Sequence, residues 1–417
     1  MNHLGKSLTL FAGLISLSVS SPAAGQDTGG KTMRFELSER VEAVRNPTLN
    51  PGQDDSEILS TTNLGYELSS KTRSDELSLR LQAALRVPLG SSSDDPDIDD
   101  TGATLSYRHI APGATFTALA SIRRRDLSYL KSFDLDDDDD IDALNNTGDR
   151  INSSLQFGVE VGEDRPFGWG ASVGASQVRY KNLGAGSTLT DYDSENATLT
   201  GRFDLSQVTQ LTSSLSYSQS QEEGSSRLRT YGANFALSYL RDTSEYRTSL
   251  SFAWPDQSND RVTLTVGNTT QFSDRGQISF DVGGTFSDGG STQFVGRLDY
   301  QNQLTPNSNA RVNIQRQVSD ASDGAVVLRT RGQVGYDYSV TPLATLAFDL
   351  RYLERENLSN GSDLEEYGVS VSVNRQLTTD WLLTVGLGQT SRKETGLATA
   401  KSETIYFSIG RAWTGRF

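Results

Sequence analysis

Apolar and polar residues alternate along this 417-residue chain almost from end to end. Successive side chains of a strand point to opposite faces, so a period of two predicts strands with one apolar and one polar face. About 20 such segments are present, each near the roughly 10 residues that a tilted strand needs to cross a membrane. No helical pattern of comparable quality interrupts them. The clearest lie at 77–87, 151–161, 231–239, 246–254, 326–340, 344–352, 367–373 and 381–387.

The connections between these segments alternate in length. The long ones span 45–57, 88–100, 126–148 and 181–193, and the short ones between them span 70–76, 110–114, 163–166 and 206–210. Later loops shorten to 255–260 and 287–291 and lengthen again at 354–363 and 391–401. Outer-membrane barrels have short periplasmic turns, long outer loops and periplasmic termini. We therefore predict an all-β fold, a transmembrane up-and-down antiparallel β-barrel of about 18–20 strands with both termini periplasmic.

The last strand of the sequence ends on an aromatic residue. Counting back by twos from Phe417 gives a mainly apolar face that includes Trp413, from which only Gly415 and Arg411 depart. This strand resembles the C-terminal signal of bacterial outer-membrane β-barrels, and the whole pattern resembles proteobacterial outer-membrane barrels of the porin type. The resemblance implies that Phe417 and Trp413 form the membrane-insertion signal read by the barrel insertion machinery.

The first 25 residues have the order of a secretory signal. Lys6 precedes an apolar stretch at 8–19, and the small residues Ala23, Ala24 and Gly25 follow it. The apolar stretch is shorter than the roughly 20 residues that span a bilayer. We predict a signal peptide at 1–25 and an outer-membrane barrel at 26–417. The chain contains no cysteine, which excludes a disulfide framework and a lipoprotein anchor.

Composition agrees with a barrel and excludes one class of partner. Mean hydropathy is low, at -0.47, because half of each barrel strand faces water. The net charge of -15 argues against nucleic acid as a partner, since nucleic-acid binding requires clustered Lys and Arg. Aromatic residues recur at both ends of the predicted strands, as expected for the two interfacial girdles of a membrane barrel.

If the apolar parity faces lipid, a charged set faces the lumen. Two interpretations of this set stay open: a ladder of ion pairs that supports the wall, or a pore whose excess of arginine favours anions. A barrel of this strand number is too wide for its own side chains to fill. The predicted lumen-lining residues are Arg80, Arg86, Arg108, Arg202, Arg247, Arg297, Arg311, Arg329, Arg331, Arg351, Asp204, Asp299 and Asp349.

Residues for catalysis or metal binding are scarce. The predicted mature chain keeps one histidine, His109, which shares its parity with apolar neighbours and should face outward near the periplasmic end. We expect no enzyme activity and no cofactor. An acidic run that includes Asp136, Asp138 and Asp140 could hold Ca²⁺ or Mg²⁺, since hard cations take oxygen ligands, or could be a solvated loop. Apolar residues in the same loop, 126–148, suggest that it packs into the lumen.

We therefore expect an outer-membrane channel of the porin type for passive diffusion of small, anionic solutes. An exit pore for an exported polysaccharide and a structural or adhesive surface barrel with a closed lumen are the alternatives. Expected partners are outer-membrane lipid and lipopolysaccharide and the insertion machinery. A homotrimer and a separate periplasmic partner are both compatible with the sequence.

Overall fold

A computed structural model describes residues 30–89, 96–130, 146–288, 292–320, 325–358 and 363–417. These residues form strands joined in chain order, with one short 3-10 turn, Leu127–Tyr129. In the described part of the chain, no helix is long and apolar enough to cross a membrane. The strands are β1 (Gly30–Arg45), β2 (Ser56–Lys71), β3 (Asp75–Pro88), β4 (Asp97–Ala111), β5 (Ala114–Asp126), β6 (Asp149–Val161), β7 (Phe167–Lys181), β8 (Tyr192–Asp204), β9 (Thr209–Glu222), β10 (Leu228–Leu240), β11 (Ser244–Pro255), β12 (Arg261–Ser273), β13 (Gly276–Ser287), β14 (Thr292–Thr305), β15 (Ser308–Asp320), β16 (Val326–Thr341), β17 (Ala344–Asn357), β18 (Asp363–Gln376), β19 (Trp381–Glu394) and β20 (Ala400–Arg416).

The sheet closes on itself. Each strand pairs antiparallel with its neighbours in the chain, and β20 returns to pair with β1 from Thr32–Arg416 to Arg45–Glu403. Backbone hydrogen bonds between Lys31 and Phe417 extend this seam beyond the strands. The result is a closed barrel of 20 strands, which confirms the predicted all-β, up-and-down architecture at the upper limit of the expected strand number.

The connections alternate in length as predicted, and this defines two ends of the barrel. The terminal end carries Gly30, Phe417 and short turns such as 112–113, where Gly113 takes a φ of +77° that favours glycine. The loop end carries the longer connections, which include 46–55, 127–148 and 182–191. That the terminal end faces the periplasm stays a prediction, and residues 1–25 lie outside the described residues.

The outer face of the wall is an apolar belt exposed around the whole circumference. Large apolar side chains of one parity are solvent-accessible on strand after strand, which a water-soluble protein would bury. We conclude that this face contacts lipid and that the barrel is an integral outer-membrane protein. Examples are Leu81, Ile122, Leu155, Val173, Leu199, Leu215, Phe235, Leu264, Val385 and Ile405.

One carboxylate interrupts the belt. Glu39 shares the outward parity of Leu37 and Val41, and it lies four residues from Phe35 on the terminal-end side. Its two carboxylate oxygens accept hydrogen bonds from the hydroxyls of Ser60 and Thr62 on β2. These hydroxyls share the outward face with Glu39, so the three residues form a polar patch near the middle of the lipid-facing surface.

Replacing this carboxylate should stabilise the protein. A charge on the lipid face is unfavourable, and we expect Glu39→Leu to raise the free energy of unfolding in lipid vesicles by about 1 kcal/mol. Urea titration of the folded barrel measures the change. Glu36→Leu on the same strand is the matched control, because Glu36 faces inward and pairs with Arg34. An equal gain in both variants would contradict a lipid-facing role for Glu39.

Candidate functional site: the barrel lumen

The enclosed space is wide. With strands about 4.8 Å apart and tilted by about 40°, a barrel of 20 strands has a backbone radius of about 20 Å. Inward side chains shorten this radius by a few ångströms but cannot meet across the lumen. Whether the lumen holds water therefore depends on what the loops and strand ends place inside it.

The structure places the predicted charged residues on the inward parity of their strands, opposite the exposed apolar face. Several of their side chains remain largely accessible: 60% for Arg80, 56% for Arg297, 58% for Arg311 and 46% for Arg351. A guanidinium this accessible within the ring of strands must be solvated. These side chains therefore line a section of the lumen that the described residues leave open.

Most of these arginines are paired with acids on the same wall. The Nε atoms of Arg297 and Arg351 lie 2.5 and 2.8 Å from Asp299 and Asp349, each two residues away on the same strand. Two further pairs join neighbouring strands, Arg80 with Glu67 and Arg311 with Asp337. A third, Arg247 with Asp281, reaches across the one strand between β11 and β13. Amide side chains extend the network, with Gln333 donating to Asp349 at 2.9 Å. Apart from the Arg80–Glu67 pair on β2 and β3, these contacts form an ion-pair ladder along β11–β17.

Two predicted residues lie near the terminal end. Arg202 donates to the backbone carbonyls of Gly162, Glu163 and Arg165, so it fixes the turn between β6 and β7, and its Nε lies 4.0 Å from Asp204. Arg108 lines a recess of about 610 Å³ in the wall. The recess is otherwise lined mainly by small and hydroxyl residues of β5–β9, among them Thr117, Gly158, Gly170, Ser172 and Thr200.

The wall next to the ladder carries short side chains. On β7–β11 the inward positions carry mainly serine, threonine, asparagine and glycine, which leave the lumen open. Neighbouring hydroxyls pair across the strands, as in Ser176–Ser194 at 2.7 Å and Ser249–Thr265 at 2.6 Å. A stretch of small polar residues therefore lies beside the charged ladder on the inner face of the barrel.

The loop end differs because part of the wall folds inward. Pairing between β14 and β15 stops at Gly296–Arg316, whereas β15 and β16 remain paired as far as Asp320–Val326. The hairpin tip, residues 317–320 and 325–328, therefore separates from β14 and stays joined to the sheet through the pairing of β16 with β17, which reaches Val327–Asn357. Asp320 shares the outward parity of Val312 and Ile314, yet it meets the inward residue Arg261 of β12, three strands away. The tip has thus moved inside, with its outer face against the inner face of β12–β14.

A buried ion pair holds the tip in place. Both guanidinium Nη atoms of Arg261 lie 2.5 Å from the two carboxylate oxygens of Asp320, and the Ser258 hydroxyl donates to the same carboxylate at 3.0 Å. The two side chains are only 8% and 12% exposed. Leu328 of the tip and Val295 and Thr285 beneath it are buried as well. The contact has the packing of a protein core.

A second buried pair lies at the same end. Arg392 of β19 donates to Glu366 of β18 at 3.0 Å, and both residues are almost completely buried on the inward face. Val327 and Leu353, which share this face on β16 and β17, are fully covered. Inward residues can be covered in this way only where material occupies the lumen. The loop end is therefore constricted, while the section below it is open.

The described start of the longest connection also turns inward. Leu127 is buried, and the ring of Tyr129 lies 4.4 Å from the guanidinium carbon of Arg86. Arg86 also binds Asp99 at 2.7 Å, and Asp99 accepts the backbone N–H of Asp126 at 2.6 Å. These contacts agree with the prediction that this loop packs into the lumen. Residues 131–145, which include Asp136, Asp138 and Asp140, lie outside the described residues, so the metal site there stays a prediction.

His109 has a local role. Its Nδ1 lies 2.8 Å from Asp75, which also accepts from the Tyr107 hydroxyl, and its ring packs against Phe116 on the outer face of the terminal end. This is the outward position that the sequence predicted. Within the described ranges, no group of three or more His, Cys, Asp or Glu could hold a metal ion.

Comparison with solved structures gives the class of the fold. The siderophore receptor PirA from Acinetobacter baumannii is similar with a TM-score of 0.55 at 9% identity, over 94% of this chain and 81% of that one. The ferric enterobactin receptor PfeA from Pseudomonas aeruginosa gives 0.53 at 9% identity, over 93% and 81%. The fold is that of an outer-membrane β-barrel. No family model and no curated protein matches the chain.

The outer-membrane protein OpdK from Pseudomonas aeruginosa also matches, with a TM-score of 0.44 at 12% identity over 92% of this chain and 98% of that one. Of these three structures, the two with a TM-score above 0.5 are both receptors. The loop-end pairs of this outer-membrane barrel were not predicted from its sequence. Arg261 and Asp320 are 59 residues apart and of opposite parity, so periodicity alone gives no reason to join them.

Proposed function

We propose that this outer-membrane barrel is a passive channel for small hydrophilic solutes, constricted at its loop end. The observation that carries the proposal is the accessibility of the inward arginines in a lumen too wide for its own side chains to fill. An open lower section and a constricted outer mouth together give a wide vestibule that leads to a narrow passage.

The pairing of the arginines limits charge selectivity. An acid next to most of these guanidinium groups cancels much of the field that would attract anions, so the anion preference predicted from the number of arginines should be small. No ion pair within 4.0 Å is described for Arg108, which lies beside Glu160 in the terminal-end recess. We propose a weak preference for anions.

Reconstitution into vesicles tests both the passive channel and its weak preference for anions. In liposome swelling, the refolded protein should admit small sugars and exclude oligosaccharides, and in a KCl gradient the reversal potential should show a chloride-to-potassium permeability ratio below about 3. Cation selectivity, or swelling that does not depend on solute size, would contradict the proposal. Protein left unfolded in the same vesicles is the control.

The inward hairpin favours one second candidate. An exit pore for an exported polysaccharide must stay closed until its substrate arrives, and a mouth held by a buried ion pair would meet that requirement. This alternative predicts no swelling with the unmodified protein and a large permeability once the tip is released. A passive channel predicts measurable swelling with the unmodified protein and also after release of the tip.

A further inference from the structure

Arg411 is a basic side chain on the lipid-facing side of β20. It shares the outward parity of Ile405 and Phe407, which are exposed, and its direct partners across the strands are Trp381 on β19 and Leu37 on β1. A charge on this surface is unfavourable unless something at the membrane interface compensates it. In the sequence, Arg411 is visible only as a departure from the apolar C-terminal face.

Two indole rings hold the guanidinium. Its central carbon lies 4.7 Å from the ring centroid of Trp413 and 5.5 Å from that of Trp381, both within the range of cation–π attraction. Trp413 is itself fixed against Phe35, with the ring centroids 5.4 Å apart. The buried Nε of Arg411 has no hydrogen-bond partner, so ring faces rather than acceptors set the position of this group.

The charge of Arg411 is weakly compensated. The nearest described carboxylate oxygen belongs to Asp380, 3.5 Å from Nη2, and the Asp380 side chain is 48% exposed. Such a pair at a solvated surface contributes little. The Arg411 side chain remains 32% exposed, so its Nη edge can reach a further acceptor from the membrane side.

The location determines which acceptor is available. Tryptophan and tyrosine mark the headgroup level of a membrane, and Arg411 lies between two tryptophans at the terminal end. Phospholipid phosphates lie at that level, and guanidinium binds phosphate through two parallel hydrogen bonds. Towards the middle of the belt, apolar cross-strand pairs continue from this point, which suits an acyl chain: Leu383–Ile409, Val385–Phe407 and Leu387–Ile405.

The geometry points to a phospholipid-binding site at the terminal end, in which Arg411, Trp381 and Trp413 hold the phosphate of one lipid. The guanidinium edge binds the phosphate oxygens, the indole rings orient the guanidinium, and the acyl chains lie along β19 and β20. Asp380 competes with the phosphate for the same Nη2 and repels it. The site does not depend on whether the lumen conducts.

Native mass spectrometry of the folded barrel with added phosphatidylglycerol tests this site. We expect one retained lipid per barrel, and about tenfold weaker retention in Arg411→Gln, since a hydrogen bond to a charged group is lost. Asp380→Asn should strengthen retention about threefold, a gain that misfolding cannot produce. Arg375→Gln is the matched control: it removes an outward arginine at the terminal end of β18 that takes part in none of the described ring contacts.

Two further retention measurements identify the ligand. Diacylglycerol, which lacks the phosphate, should not be retained, and millimolar inorganic phosphate should not displace the phospholipid. Displacement by inorganic phosphate would show a simple anion site and overturn the lipid assignment. Equal retention by the unmodified protein and Arg411→Gln, or no gain in Asp380→Asn, would overturn the site itself.

Discussion

Asp320→Asn should open the loop end and raise single-channel conductance at least about threefold. The substitution keeps the shape of the side chain but removes the charge that Arg261 requires, and a buried guanidinium without its partner is strongly unfavourable. The tip of β15–β16 then loses its attachment to β12 and keeps only its pairing with β17, because its pairing with β14 has already ended at Gly296–Arg316. Planar-bilayer recording measures the change directly.

Two controls separate release of the tip from a general loss of order. Glu403→Gln makes the same change of charge at the loop end, but Glu403 lies on β20 away from the tip, with the outward parity of Ile405 and 3.8 Å from Arg45, so conductance should not change. The exchanged pair Arg261→Asp with Asp320→Arg should return conductance towards its original value. If Asp320→Asn conducts like the unmodified protein, the tip does not limit the passage.

Glu366→Ala should destabilise the barrel by about 3–5 kcal/mol. The pair of Glu366 and Arg392 is almost completely buried, and removing Glu366 leaves a buried guanidinium whose remaining carboxylate, the part-exposed Glu394, lies 3.9 Å away. Urea unfolding in lipid vesicles, followed by tryptophan fluorescence, gives the free energy. The expected loss is far larger than for any pair on the open part of the wall.

Two matched variants test whether the loss of stability comes from the unpaired buried charge. Glu403→Ala removes a carboxylate that is 58% exposed and 3.8 Å from Arg45, and it should cost less than about 1 kcal/mol. Replacing both partners with apolar residues, Glu366→Leu with Arg392→Met, should recover most of the lost stability. A loss of less than about 1 kcal/mol in Glu366→Ala would show that water reaches the pair.

The fold could be predicted from the sequence because every strand of a membrane barrel obeys one rule. Lipid on one side and water on the other impose alternation, and the two ends impose alternating connection lengths. Both signals are local, so they can be recognised in the sequence without knowledge of tertiary contacts. The same rule predicted the inward parity of Arg297, Arg311 and Arg351 and the outward parity of His109.

The sequence pattern was weakest where local exceptions occur. In β2, the outward positions Ser60 and Thr62 are polar because they donate to Glu39 on β1. In β4, the register with β3 shifts next to Asp100, whose φ of +48° marks a bulge that exchanges inward and outward positions. Both exceptions depend on a neighbouring strand, so the sequence of the strand alone does not predict them.

The constriction could not be predicted at all. It arises where the tip of β15–β16 separates from β14, and the outward parity of Asp320 then points into the lumen towards Arg261. A pattern of alternating residues assumes that each strand stays in the wall for its whole length. That assumption fails where a strand end folds inward, and the alternation of apolar and polar residues does not change there.

The most direct test of the water-filled lumen uses the absence of native cysteine. Single cysteines at Leu215 and Ser216, adjacent exposed positions of opposite parity on β9, are treated in proteoliposomes with a charged thiol reagent that cannot cross lipid. We predict rapid labelling of Ser216→Cys and none of Leu215→Cys. Protection of both cysteines in folded protein would mean a dry lumen, and labelling of Leu215→Cys alone would mean a reversed wall; either result would contradict a channel.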